Sequence, residues 1–271
     1  MKVGVIGSEG VVGGACKFGF KLLGHEVSVH DICLNTSIDD VVNTQVVFIC
    51  VPTPQAVDGA CDISIVRQVV LDLRDRNYEG VVAIKSTVSP GTSDVLSDET
   101  GLNICFVPEF LRERCAVTDF TEAHDVCIVG TEDIDTFRLI KKCHGHYPSK
   151  FVHLTAKEAE FCKYFNNVYN ATLITFANSF YEICKENGVN YTNVKNAVTN
   201  RAHIKSNYLE CNDNFRGFGG MCLPKDVAAM AKLAEQTSVD FFKALLEENS
   251  KYKITVYDLS LIHISEPTRP Y

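Results

Sequence analysis

The chain has 271 residues, 46% of them hydrophobic and 22% charged, enough to bury a real core in one large domain or two smaller ones. Its formal net charge is −8 with no basic run, which excludes nucleic acid and anionic membrane as partners. No apolar stretch approaches the ~20 residues of a membrane span, and Met1-Lys2-Val3-Gly4-Val5 begins a strand rather than a signal peptide. The 12 cysteines lack CxxC spacing and Cys/His clustering, so neither a metal site nor a disulfide framework is expected, and scattered thiols suit the cytoplasm.

In chain order, Val3-Gly4-Val5-Ile6 predicts a first strand running into the glycine-rich turn Gly7-Ser8-Glu9-Gly10-Val11-Val12-Gly13. A helix follows to about Leu23, Gly24 breaks it, and residues 25–31 read as a second strand. Residues 46–51 are continuously apolar, as strands buried on both faces are, and 81–85, 103–107 and 126–130 supply further strands. Strands interleaved with helices imply right-handed βαβ units. The expected fold is α/β: a Rossmann-type, doubly wound, mostly parallel sheet over residues 1–150.

Thr155-Ala156-Lys157-Glu158 fits a capping box, with Thr155 as N-cap and Glu158 three residues on. Nothing then breaks a helix before Gly188, which gives it a length of roughly 45–50 Å. Phe161, Phe165, Val168, Thr172, Phe176, Phe180 and Ile183 recur along it at helical spacing and predict a buried stripe of ordinary core packing. With this helix, residues 151–250 form a smaller all-α domain, irregular only near 206–220. The Phe-rich length exceeds what a small lobe covers, so a homodimer through the long helix is expected. Residues 259–271, from Leu259-Ser260-Leu261-Ile262 onward, resemble the translation of a sequencing-library adapter and read as a non-native tail after a cut near Asp258.

A glycine-rich turn straight after the first strand suits a dinucleotide, because glycines admit a pyrophosphate and the next helix N-terminus stabilises its charge. Gly7, Gly10 and Gly13 have the spacing, with Ser8 where the common pattern has its second glycine. Asp31, 18 residues past Gly13, fits the acid that binds a ribose 2′-hydroxyl. A carboxylate there repels a 2′-phosphate, which favours NAD over NADP. Alone, the glycine spacing also fits an ordinary strand–helix turn.

Cys222 follows Gly217-Phe218-Gly219-Gly220 and enters a helix that Pro224 can start. A helix N-terminus favours the thiolate, and Asp226, one turn along the same face, can handle protons. The alternative is a structural cysteine behind a flexible glycine turn.

Five motifs in order, Val51-Pro52-Thr53-Pro54, Lys85-Ser86-Thr87-Val88-Ser89-Pro90-Gly91-Thr92, Pro108-Glu109-Phe110-Leu111-Arg112-Glu113, Lys163-Tyr164-Phe165-Asn166-Asn167 and the Cys222 segment, resemble the UDP-glucose/GDP-mannose dehydrogenase family. The likeness runs from residue 1 to about 250 and is greatest to a short form without the family's C-terminal nucleotide-gripping domain. It implies oxidation of a sugar C6 alcohol to the carboxylate by two NAD⁺, with UDP-glucose the favoured nucleotide sugar.

The resemblance assigns Cys222 as nucleophile, Asp226 as the group that orders or deprotonates water, and Lys163 and Asn167 as oxyanion stabilisers. It gives Glu109 and Glu113 to thioester hydrolysis and ligand contact, with Thr87 beside them. Gly7, Gly10, Val12, Gly13, Asp31, Thr53, Thr87, Glu113 and Lys225 are then expected at the cofactor, and Glu109, Phe110, Leu111, Lys163, Asn167 and Gly219 at the substrate. The site is expected in a cleft between the two domains.

Read alone, Lys163 and Asn167 fit a solvated helix face, Glu109 and Glu113 a surface acid pair beside Arg112 and Arg114, and Thr53, Thr87 and Lys225 ordinary loop positions. Val107 replaces the usual asparagine before Pro108-Glu109, and Ser179 stands where a glutamate often follows Phe-Ala-Asn. Two other functions remain open: a 3-hydroxyacid dehydrogenase, which transfers one hydride and needs no thiol, and a non-catalytic NAD-binding protein or inactive fragment.

Overall fold

Val46-Val47-Phe48-Ile49 and Val81-Val82-Ala83-Ile84 have every residue buried, as strands covered on both faces must. In the computed structural model, which describes residues 1–252, they are β3 (Val46–Ile49) and β4 (Val81–Ile84). Around them lie β1 (Lys2–Ile6), β2 (Glu26–His30), β5 (Ile104–Phe106), β6 (Cys127–Gly130) and β7 (Phe151–Leu154). Among the described residues these seven strands form one sheet, ordered β2-β1-β3-β4-β5-β6-β7. All neighbours are parallel except β5 and β6, which meet antiparallel at Phe106 and Gly130. The expected strands are present, and β7 is an addition that the sequence reading passed over.

Helices cover both faces, so the sheet is doubly wound. On one face α1 (Val11–Leu22), α4 (Ala116–Thr121) and α5 (Ile134–His144) pack Ala15, Cys16, Phe20, Phe120 and Ile140 onto Val3, Val5, Phe48 and Ala83. On the other, α2 (Ser64–Asp75) and α3 (Thr92–Thr100) pack Val66, Val70, Leu73 and Leu96 onto Val47, Ile49, Val82 and Ile84. Alternate residues of one strand thus feed two cores, as the two-residue period of a strand requires.

By internal contacts the chain divides into two units. The first is Met1–Ala56 with Cys61–Lys163, and the second is Val57–Ala60 with the chain from Tyr164 onward. The second unit contains the greater part of α6 (Ala156–Glu186), then α7 (Tyr191–Val198), α8 (Leu223–Ala234) and α9 (Phe241–Ser250). Its two cores gather around Phe218, Val168 and Val227 and around Tyr191, Leu209 and Cys211. Thr155 caps α6 as expected: Thr155 N donates to Glu158 Oε2 at 2.9 Å, and Glu158 N to Thr155 Oγ1 at 3.3 Å. Residues 199–222 form no helix or extended strand, a longer irregular stretch than the 206–220 expected. No helix among the described residues is long and apolar enough to cross a membrane. The adapter-like residues 259–271 lie outside the described residues.

The predicted buried stripe on α6 is overturned. Of its seven members only Val168 is buried, whereas Phe165 is 76%, Phe176 56% and Ile183 60% exposed. The inward face instead carries Glu160, Lys163, Asn167, Ala171, Thr175 and Asn178. Their spacing is equally helical, but they are small or polar, so a search for apolar periodicity selects the opposite face.

One buried and one half-buried histidine set an acid limit on this fold. His144 has no exposure and sits among the rings of Phe20, Phe48 and Phe120 at 5.4–5.7 Å. Burial, then repulsion from Lys85, pushes its pKa well below the ordinary value, and the same two causes bring His124 to about 4. Both pKa values are depressed on folding, so the unfolded chain binds more protons. The stability is therefore present above the unfolded pKa of about 6.5 and is lost as pH falls through it. Urea unfolding free energies measured from pH 7.5 down to 5 should drop below pH ~6.5 by ~1.4 kcal/mol per pH unit for each histidine. A flat profile would contradict this.

Candidate active site

Several expected site positions fall just past the carboxyl ends of adjacent parallel strands: Asp31 after β2, Gly7 after β1, Thr53 after β3, Thr87 after β4 and Glu109 after β5. That edge is where open parallel sheets bind ligands. Gly7 has a left-handed φ of +81°, and a Cβ there would sit 2.6 Å from Cys50 O. A Cβ on Gly13 would lie 2.0 Å from Gly7 O, so α1 approaches the strand end closer than any side chain permits. Gly10 is the N-cap of α1 and has no side chain to occupy the first-turn N–H groups, while Val12 packs partly buried against the core.

Asp31 closes the turn. Its Oδ2 accepts from Glu9 N at 2.8 Å and its Oδ1 from Cys33 N at 2.9 Å. The Cys33 N–H, then the Glu9 N–H, hold its carboxyl below the usual range. A backbone cradle that admits no side chain, with an ionised acid at the end of β2, fits the pyrophosphate and ribose of NAD.

Glu109 and Lys163 form a buried ion pair within the same unit. Lys163 Nζ donates to Glu109 Oε1 and to Glu109 O, both at 2.7 Å, with the Phe110 ring centroid 5.9 Å away. Leu111 N donates to Glu109 Oε2 at 2.7 Å, so both carboxylate oxygens are engaged. Lys163 is only 4% exposed and Asn167 only 6%, which overturns the solvated-face reading of that helix. The surface acid pair is overturned too: Glu113 is exposed in a short 3-10 turn, whereas Glu109 holds Lys163. Arg112 pairs with Asp119 at 2.6 Å. Thr53 is buried, and Thr87 O accepts from Cys61 Sγ at 3.2 Å.

In the second unit, Cys222 is the exposed N-cap of α8, and Pro224 occupies the first turn. The main chain there follows Gly219 and Gly220, the latter at φ +80°. Asp226 N donates to Cys222 O at 2.9 Å, which starts the helix and fixes the two residues one turn apart. The Asp226 side chain has no exposure. Its Oδ2 accepts from Asn167 Nδ2 and its Oδ1 from Lys225 Nζ, both at 2.6 Å. Lys225, one of the residues expected at the cofactor, also serves as a counter-ion of Asp226.

Neighbouring main chain is held by residues the sequence did not single out. Asn178 Oδ1 accepts from Arg216 Nε at 2.8 Å and from Gly217 N at 3.1 Å, and Asn249 pairs with both backbone groups of Phe218. The Arg216 guanidinium lies 4.8 Å from the Tyr181 ring centroid and 5.0 Å from that of Tyr252. Glu160, which has no exposure, was also missed. An acid beside Glu158, between Lys157 and Lys163, looks like surface, and only its place on the polar inward face could have marked it.

Residues 33–147 match the NAD binding domain of the UDP-glucose/GDP-mannose dehydrogenase family, and residues 157–251 match that family's central domain. The glycine turn and Asp31 lie upstream of the first match. Among curated proteins the chain is 29% identical over 240 residues to a GDP-mannose 6-dehydrogenase of Pseudomonas aeruginosa, covering 82% of this chain and 55% of that protein. It is 29% identical over 231 residues to a UDP-glucose 6-dehydrogenase of Rickettsia felis, covering 81% and 51%. It therefore spans about half the length of the curated relatives it matches. Its structure resembles that of a UDP-glucose dehydrogenase from the archaeon Pyrobaculum islandicum, with a TM-score of 0.84, 27% identity, and coverage of 92% of this chain and 68% of that one. With both matched domains in order over most of its length, the chain belongs to the UDP-glucose/GDP-mannose dehydrogenase family, and its first unit carries that family's NAD binding domain.

Proposed function

We propose that the protein oxidises the C6 alcohol of a nucleotide sugar to the carboxylate, UDP-glucose to UDP-glucuronate, through a thioester on Cys222. The observation that carries this reading is the exposed thiol at the N-terminus of α8 with the fully buried carboxylate of Asp226 one turn behind it. The similarity to UDP-glucose and GDP-mannose dehydrogenases supports the substrate class, and the likeness to the archaeal UDP-glucose enzyme favours UDP-glucose.

NAD supplies the acceptor for the hydride that leaves C6 in each of two oxidations. Cys222 Sγ, stabilised as thiolate by the helix N-terminus, bonds to C6 of the aldehyde while the carbonyl oxygen takes a proton. Loss of the second hydride and of the hydroxyl proton makes the thioester. Water then adds to the carbonyl carbon, the C6–S bond breaks, and the sulfur leaves as thiolate. One alcohol, one water and two NAD⁺ give one carboxylate, two NADH and three protons.

Asp226 accepts the proton of the attacking water: each of its oxygens holds one donor, and a carboxylate has lone pairs to spare. The Lys163 ammonium has three N–H groups and gives two contacts to Glu109, so one remains for the developing oxyanion. Asn167 Nδ2 keeps its second N–H for the same use. Glu109 assists hydrolysis. Phe110, Leu111 and Gly219 contact the sugar, and Thr53, Thr87, Glu113 and Lys225 join the glycine turn at the cofactor.

The exposed aromatics of α6 carry a further part of the reading. Phe165, Phe176, Phe180 and Ile183 present apolar surface along one helix face, and two copies pairing through α6 would remove it from water. Sedimentation should give a dimer for the wild type and a monomer for Phe165→Glu/Phe176→Glu; a monomeric wild type would refute the pairing. For the chemistry, NADH is counted per sugar consumed with NAD⁺ and UDP-glucose. The expected outcome is two NADH per sugar, with completed oxidation lost in Cys222→Ala. One NADH per keto product, unaffected by Cys222→Ala, would instead indicate a single-step hydroxyacid dehydrogenase.

A further inference from the structure

Glu160 is a carboxylate with no solvent exposure on the second turn of α6, and no lysine or arginine forms an ion pair with it among the described residues. Its donors come from the start of α3. Glu160 Oε2 accepts from Gly91 N, and Oε1 accepts from Ser93 N at 2.9 Å and from Ser93 Oγ at 2.7 Å. Gly91 is the N-cap of α3, holds a left-handed φ of +93°, and has no side chain with which to cap the helix. An acid from a different helix therefore does what a serine or aspartate N-cap normally does. Burial pushes the carboxyl above its ordinary range, while the Ser93 and Gly91 donors oppose this by favouring the charged form.

The segment so held, residues 85–93, begins at the carboxyl end of β4 and carries Thr87. Its near end is fixed by Ser86 Oγ, which donates to Val51 O at 2.7 Å, and by Cys61 Sγ on Thr87 O. Glu160 fixes the far end. One turn further along α6, Lys163 grips Glu109 in the loop after β5. The first turns of α6 thus fasten two neighbouring loops on the ligand-binding edge of the sheet.

We infer that Glu160 is a positioning residue for cofactor binding: its buried carboxylate sets the loop after β4 so that Thr87 meets the NAD. The inference rests on the proposed role of Thr87 at the cofactor. Glutamine at 160 keeps the shape but must turn an NH₂ group toward one of the backbone donors, so the loop loses its register.

The test is NADH titration by fluorescence, with melting temperature measured in parallel, on the full chain. Glu160→Gln should weaken NADH about five- to tenfold, the size expected when one buried hydrogen-bond partner turns from acceptor to donor. Ser93→Ala, which removes a single bond and keeps the backbone contacts, should weaken it less and in the same direction. In a Thr87→Val background, Glu160→Gln should add nothing further. The inference is overturned if Glu160→Gln or Ser93→Ala lowers the melting temperature while NADH affinity stays unchanged. It is equally overturned if Glu160→Gln has the same effect with and without the Thr87 hydroxyl. A wild type that binds no NADH would refute the cofactor role of Thr87 and, with it, this inference.

Discussion

Glu160, Lys163 and Asn167 recur one turn apart on α6, and all three side chains are buried. An unpaired charge or amide in that position costs several kcal/mol, so each must find a partner, and each partner belongs to a segment of the candidate site. Glu160 takes the backbone of the α3 start, Lys163 takes Glu109, and Asn167 takes Asp226. Asn178, further along the same helix, receives Gly217 and Arg216. Pairing thus couples the stability of α6 to the placement of the loops that carry the candidate chemistry. Removal of any one member leaves its buried partner one contact short.

The same requirement separates what could be read from the sequence from what could not. Most of the sheet was legible because fully apolar runs such as 46–49 and 81–84, set between helical segments, fit strands covered on both faces, and the capping box at Thr155 located the start of α6 to the residue. The tight turn at Gly7 and Gly13 was legible because close backbone approach needs glycine, and Asp31 stood out as a candidate because an acid at that spacing matches a ribose contact. The face of α6 was not. Apolar periodicity selects Phe165, Phe176 and Ile183, yet these are exposed and the buried face is polar. Hydrophobicity scales have no entry for a polar group whose partner lies 59 positions away, as Asp226 lies from Asn167. The Lys163–Glu109 pair and the capping of α3 by Glu160 were invisible for the same reason.

Cys222 differs from the buried cysteines in its surroundings. Cys105 and Cys127 lie in the sheet core, where burial pushes their thiols far above the ordinary range, Cys127 to about 12. Such thiols are inert packing groups. Cys222 is exposed at a helix N-terminus, just after two glycines and ahead of an acid whose own contacts are fixed. Position in the fold, more than residue type, sets one of twelve cysteines apart as the candidate nucleophile.

The covalent step is the centre of this account, and it can be observed directly. The protein carrying Asp226→Asn, which should form the thioester but hydrolyse it slowly, would be incubated with NAD⁺ and UDP-glucose and its cysteine peptides weighed by mass spectrometry. The account predicts a UDP-glucuronyl adduct on the peptide containing Cys222 and on no other. Continued formation of sugar acid with Cys222→Ala, or an adduct on a different cysteine, would contradict it.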